Sequence, residues 1–246
     1  MNDSDGKKKS NLPEDIEQKR ASAKSLMPEG FEKQIPATDM TDLLEFLTAR
    51  GLYVPVDMAK VATIASDRGM FVNKDADVER LIFPDWQPKT FNKVTFNLTD
   101  PQDGKVPNAI ELHSPNTAIT QQMPRSVTIP CNGPVRAIHM LGGVSGWGFP
   151  FDNEKTVSMI VRIHYADGST EDHELRNGEH FADYIRRVDV PQSEFAFALR
   201  GQQIRYLAVY PQRNETIKDI ELVKGSDRTA PVVMAITLES PESSGH

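Results

Sequence analysis

From Val157 to Tyr165 the side chains alternate: Val157, Met159, Val161, Ile163 and Tyr165 are apolar, Ser158, Arg162 and His164 interrupt them, and Ile160 is the exception. A period of two belongs to a strand with one buried face, whereas a helix would return its apolar residues every three to four positions. Asp167-Gly168 then supplies residues that tolerate the positive φ of a tight turn, and Thr170 to Leu175 runs back in highly charged form. Thr156 to Tyr184 therefore reads as a hairpin, and the chain has to be organised so that one face of it is covered.

The rest of the chain from residue 70 supplies the cover in kind. Short runs rich in β-branched and aromatic residues recur between turn residues: Met70–Val72, Glu79–Phe83, Val94–Leu98, Asn108–His113, Ser126–Pro130, Val135–Leu141, Phe195–Arg200, Gln203–Tyr210, Ile217–Lys224 and Val232–Glu239. No crossover helices separate them beyond turns near Met58–Thr63 and His180–Arg186, so the spacing predicts a mainly β protein, an antiparallel β-sandwich of jelly-roll type, over residues 70–240. Upstream, residues 1–11 form a polar tail with three consecutive lysines, too poor in apolar surface to offset the entropy of ordering. Helices are expected from Pro13 to about Lys24 and from Asp39 to Arg50. The second is capped by Thr38, stopped by Gly51 and striped by Met40, Leu43, Leu44 and Leu47. Residues 12–52 make a short helical segment, 53–69 a connector, and 241–246 a frayed end.

Charge and cysteine usage narrow the chemistry. The 28 basic residues stand against 35 acidic ones in a chain of 246, a net charge of -7 that disfavours nucleic acid or anionic lipid as partner. Cys131 is the lone cysteine, which excludes an internal disulfide, a cysteine-rich metal site and a Cys-x-x-Cys-His haem attachment. No run has the roughly 18 apolar residues of a membrane helix, so no membrane insertion is expected. The start MNDSDGKKKSNLPED has no apolar segment of a secretory signal, and the compartment stays unassigned.

The phrase SLMPEGFEKQIPATDMTDLLEFLTARG, Ser25 to Gly51, resembles the end of the cytochrome-c-like domain in large bacterial haem-binding, membrane-bound dehydrogenase-type proteins. The phrases RLIFPDW, IPCNGPVRAIHMLGGVSGWG, VSMIVRIHYADGSTEDHELRNGEHFADYIRRVDVP and TAPVVMAITLE look like the β-sandwich that ends some of them. The resemblance covers about Asp15 to Glu239. It implies a galactose-binding-like jelly roll, usually one module of an exported multidomain protein, and makes residues 12–52 the remnant of a cytochrome-c-like domain. In the family Met27 stands where the axial haem methionine sits. The attachment motif is absent here, so Met27 is expected to act as a turn residue packing on the Leu43/Leu47 stripe, with no haem in this chain.

Several segments invite a site. Leu141 to Phe151 combines four glycines with Trp147, Phe149 and Phe151. The rings suit the apolar face of a sugar, with His139, Asp152 or Asn153 at its hydroxyls; equally, they suit a plug in the open end of the sandwich. His164, His173 and His180 lie among Glu171, Asp172, Glu174, Glu179 and Asp183. A two-residue turn would set His164 opposite Glu171 and Arg162 opposite His173. A three-residue loop with a bulge sets Arg162 opposite Asp172, and opposite charges favour it. Neither register pairs two histidines, so an ion-paired edge is expected in preference to a metal site. Between Arg176 and Arg187, His180, Asp183, Tyr184 and Arg186 or Arg187 are candidates for holding a ligand's polar groups, while Phe181 and Tyr184 alone would pin that loop.

Calcium is common in this fold, but no loop matches a calcium motif; the nearest, Asp100 to Gly104, reads as a turn. Cys131 has no histidine at a nucleophile's spacing, and Gly143-Val-Ser145-Gly has the wrong spacing for a serine elbow. The expected function is a non-catalytic accessory module that binds a polysaccharide, or alternatively docks a neighbouring protein domain. A third reading, part of an electron-transfer cytochrome, requires haem.

Overall fold

The structure, a computed structural model, describes residues 52–146 and 155–241. The two expected N-terminal helices, Met27 and its stripe, and Trp147, Phe149 and Asp152 lie outside the described residues.

Twelve strands follow in order: β1 (Tyr53–Pro55), β2 (Lys89–Phe91), β3 (Val94–Phe96), β4 (Ile110–Glu111), β5 (Ser126–Pro134), β6 (Ala137–Ser145), β7 (Val157–Tyr165), β8 (Thr170–Arg176), β9 (Glu194–Leu199), β10 (Gln202–Val209), β11 (Thr216–Lys224) and β12 (Ala230–Glu239). They form an antiparallel β-sandwich. One sheet runs β1-β12-β6-β10-β9, with β4 also on β12; the facing sheet runs β5-β11-β7-β8; β2 and β3 make a separate hairpin. Strands β1 and β4 share one edge of β12, β1 along Thr237–Glu239 and β4 along Val232–Val233. The segment expected as a connector thus carries an edge strand of the larger sheet, and Ile64 bridges to Ala109 beyond it.

The core between the sheets comes from alternate residues on both sides. Met159, Val161, Ile163 and Tyr165 of β7 meet Ile138, Met140 and Val144 of β6 and Val233, Ile236 and Leu238 of β12. The Thr156 to Tyr184 hairpin is therefore an inner strand, β7, with a charged edge strand, β8. Its register pairs Arg162 with Asp172, as the three-residue loop requires, and Gly168 takes φ +87° at the bulge position.

The larger sheet is buried on its other face too. Met70, Leu81, Phe83, Val94 and Phe96 pack over Leu141, Ile204, Tyr206, Val232, Met234 and Ala235 as a second apolar cluster. This second cover explains why β6 and β12 are buried along their whole length, a pattern that reads in sequence as an unbroken apolar run instead of an alternation. In β12 a bulge between Val233 and Ala235 gives the outer face both Met234 and Ala235.

Two expected strands, Met70–Val72 and Glu79–Phe83, are not strands. Their apolar residues are buried, but the Glu79 carboxylate accepts the backbone N–H groups of Phe71 and Val72 at 2.8 and 2.9 Å. Leu81 N–H reaches Ser66 O at 2.8 Å. A side chain and a loop carbonyl thus take the place of a ladder partner, and Asp77–Glu79 forms a 3-10 turn. The turns expected near Met58 and His180 appear as a 3-10 turn at Met58–Lys60 and a non-helical loop, respectively.

Strand β6 runs four residues past its expected end at Leu141. Gly142 and Gly143 looked like loop residues, yet they serve close packing within the sheet: a Cβ on Gly142 would lie 2.2 Å from Val232 O, and one on Gly143 would lie 3.0 Å from Ala182 O.

Candidate functional site

Strand directions gather the segments of interest at one end of the sandwich. Ala230 pairs with Ser145, and Val157 pairs with Arg176. The connections leaving Gly146, entering at Lys155, following Arg176 and linking Lys224 to Ala230 therefore share this end, and the loop before β5 joins them through Lys224 N–H to Arg125 O at 2.8 Å. Arg176 Nη1 donates to Lys155 O at 2.8 Å, holding two of these loops together. Both stretches expected to carry ligand contacts, that after β6 and that after β8, start here.

The candidate side chains themselves do not converge on an open face. His139 is 4% exposed. Its Nε2 donates to Glu239 at 3.0 Å, which leaves Nδ1 to accept from the Tyr206 hydroxyl at 2.9 Å. Burial pushes its pKa below the usual histidine value, and Glu239 only partly opposes this. His139 is thus held at both ring nitrogens inside the larger sheet. Asp183 and Tyr184 are buried as well. Segment 182–184 slides in beside β6: Val144 N–H reaches Ala182 O, Tyr184 N–H reaches Val144 O, and Gln203 N–H reaches Tyr184 O. Asp183 caps its own turn by accepting Ile185 N–H at 3.0 Å, and the Tyr184 hydroxyl donates to Glu79 O at 3.0 Å. His180 Nδ1 accepts the Arg176 backbone N–H at 3.2 Å, and burial lowers its pKa. Arg186 and Arg187 are exposed, the Arg187 guanidinium 4.2 Å above the Phe195 ring and paired with Asp189.

Sequence reasoning missed the deepest polar group at this end. Glu111, on β4, is fully buried, and its Oε1 accepts only the Ser145 hydroxyl at 3.3 Å while Oε2 has no hydrogen-bond partner among the described residues. Burial above all holds its carboxyl well above the usual range; the Ser145 bond works against this and the nearby Glu79 charge adds to it. Burial likewise pushes the Tyr184 phenol upward, reinforced by Glu111 and Glu79. Nothing in a two-residue strand, Ile110–Glu111, preceded by Asn-Ala announces a buried acid.

On the charged outer face of the smaller sheet Arg162 grips Asp172 with two bonds of 2.8 Å and His164 approaches Glu221 at 3.3 Å. On the core-facing side of the edge strand β8, opposite Ile163, Glu171 collects His173, the Tyr165 hydroxyl and Gln212 N–H. Below the β11–β12 turn, Lys224 donates to Asp227 Oδ1 and O at 2.8 Å, and Asp227 also accepts the Ser158 and Thr229 hydroxyls. Among the described residues no three His, Cys, Asp or Glu side chains stand together as metal ligands, and no helix is long and apolar enough to cross a membrane. The Asp100 to Gly104 segment is a turn: Asp100 Oδ1 accepts Gln102 N–H at 2.8 Å, and Gln102, Asp103 and Gly104 all take positive φ.

An open cleft of about 660 Å³ lies on the flank of the same end. Ile64, Ile119 and Met123 supply apolar surface, and Arg68, Lys74, Asp75 and Gln122 supply polar groups. Phe71, which follows closely in the chain, would meet a Cβ placed on Gly146 at 3.0 Å, so the cleft wall adjoins the exit of β6. Comparison of the chain with protein-family models, with curated proteins and with solved structures returned no match.

Proposed function

We propose that this chain is a non-catalytic accessory module that binds a polysaccharide at the loop end of its β-sandwich. One observation carries the reading: polar groups are divided between scaffold and cleft. The titratable side chains that would have to do chemistry, His139, Tyr184, Glu171, Lys224 and Asp227, are each spent on bonds within the fold. The cleft instead presents Lys74, Asp75 and Gln122, whose side chains bond to no described residue, beside the apolar surface of Ile64, Ile119 and Met123. A sugar offers hydroxyls and an apolar ring face, and a pre-formed cleft with a few polar groups over apolar walls suits it. The resemblance to galactose-binding-like sandwiches supports the same reading by analogy.

Native electrophoresis of the chain through gels holding soluble neutral or acidic polysaccharides tests it. Retardation in at least one gel is expected, and unchanged mobility in all of them would end the reading. A docking role would then take over, favoured by Val72 and Val78, which are 57% and 58% exposed.

A further inference from the structure

The cleft has a charge preference built into its backbone. Arg68 lies directly across Gly104: a Cβ there would come within 2.3 Å of Arg68 Nε. Its Nη2 donates to Asp103 O at 2.7 Å, so a turn of three successive positive-φ residues, Gln102, Asp103 and Gly104, exists where the guanidinium is held. The partner is a neutral carbonyl, and the guanidinium forms no ion pair among the described residues and has donors left over. On the other side Gly69 N–H reaches Lys74 O at 2.8 Å, and a Cβ on Gly69 would lie 1.8 Å from Asn73 O. That tight loop fixes the base of Lys74, which forms no ion pair among the described residues. Two cations therefore face the cleft against a single carboxylate, Asp75, in a protein whose net charge is -7. No aromatic ring lines this cleft, so stacking on a neutral sugar is not what it offers.

We propose that the cleft binds a carboxylate-bearing ligand through Arg68 and Lys74, with Ile64, Ile119 and Met123 against its apolar part, and that the carrier is a uronate residue of an acidic polysaccharide. The carboxylate preference stands on the cleft; the identity of the carrier rests on the polysaccharide reading. Arg68 offers its free donors to the two carboxylate oxygens, Lys74 adds a point charge, and Gln122 is placed for a ring hydroxyl.

Titration calorimetry of the full chain separates these claims, using oligogalacturonate and oligoalginate, the methyl ester of the former, and free galacturonate. At least one acidic oligosaccharide is expected to bind and the ester to bind about tenfold more weakly or worse; Arg68→Gln and Lys74→Gln should each lose about tenfold, with the unfolding midpoint unchanged in Lys74→Gln and lowered in Arg68→Gln, which gives up the bond to Asp103 O. Affinity should also fall as salt is raised. Ester binding as tight as acid binding, or unaltered affinity in both variants, overturns the carboxylate assignment and leaves the polysaccharide reading standing. Free galacturonate binding lost in both variants, with no retention by any polysaccharide, upholds the cleft and overturns its polymeric carrier. No heat with any acid overturns the proposal.

Discussion

Glu111 shows how much one residue can set against the rest of its strand. Burial raises its folded pKa well above the usual 4.5. Between those two values the folded state binds the extra proton, so the stability associated with this group is complete below about the unfolded pKa and is lost as pH rises through the folded one. Glu111→Gln keeps the shape and the bond to Ser145 and removes the ionisation. It should flatten the decline of stability toward alkaline pH, so that the variant gains on the parent at pH 8 and not at pH 5, read from urea midpoints at the two pH values. An equal alkaline loss in the variant would mean that another group carries it. Glycines at close approaches form a second residue-scale class. Gly69→Ala drives a Cβ into Asn73 O and should cost about 1 to 3 kcal/mol by thermal unfolding, with carboxylate binding falling alongside because Lys74 moves.

The β7–β8 hairpin separates two costs at the scale of an element. Gly168 has open space around it, so Gly168→Ala probes the backbone alone at φ +87° and should cost about 1 kcal/mol. Arg162 and Asp172 are matched in geometry but a third or more exposed. Arg162→Ala should therefore cost less than about 1 kcal/mol, and that difference should shrink in high salt. This register was legible in the sequence, since only one loop length put opposite charges across from each other. The β2–β3 hairpin was not legible: Asn92 and Lys93 both take positive φ in its turn, and lysine at the second position is not the glycine by which such turns are recognised. Met70–Val72 and Glu79–Phe83 were legible as buried and illegible as irregular, because the groups that satisfy their backbone, the Glu79 carboxylate for Phe71 and Val72 and the Ser66 carbonyl for Leu81, lie several residues away.

For the molecule as a whole, the second cover on the larger sheet decides cooperativity. Phe96, fully buried, ties the covering segment to Tyr206, with ring centroids 6.3 Å apart. Phe96→Ala should cost about 3 to 5 kcal/mol. Trp86 belongs to this cover, packing on Phe83. In a Trp147→Phe background, where Trp86 is the sole indole, fluorescence and far-ultraviolet dichroism should trace the same denaturant transition. An earlier fluorescence transition would show that the cover melts alone.

The sequence by itself determined the antiparallel sandwich, most of its strands, the hairpin register and its ion pair, because each depends on periodicity, turn chemistry and charges a few residues apart. The two loops in which it expected ligand contacts, after β6 and after β8, leave the same end of the sandwich, while the cleft is lined by other stretches. Only the tertiary structure decided which polar residues were already spent. His139 looked available until Glu239, a hundred residues away, and Tyr206 closed on both its nitrogens. It alone assembled the cleft as well, since Arg68 and Lys74 meet Gly104 and Gln122 from separate stretches of chain. Periodicity reports which face of a strand is apolar; what distant segment covers that face, and which charges the covering leaves unpaired, is settled only when the chain has closed on itself.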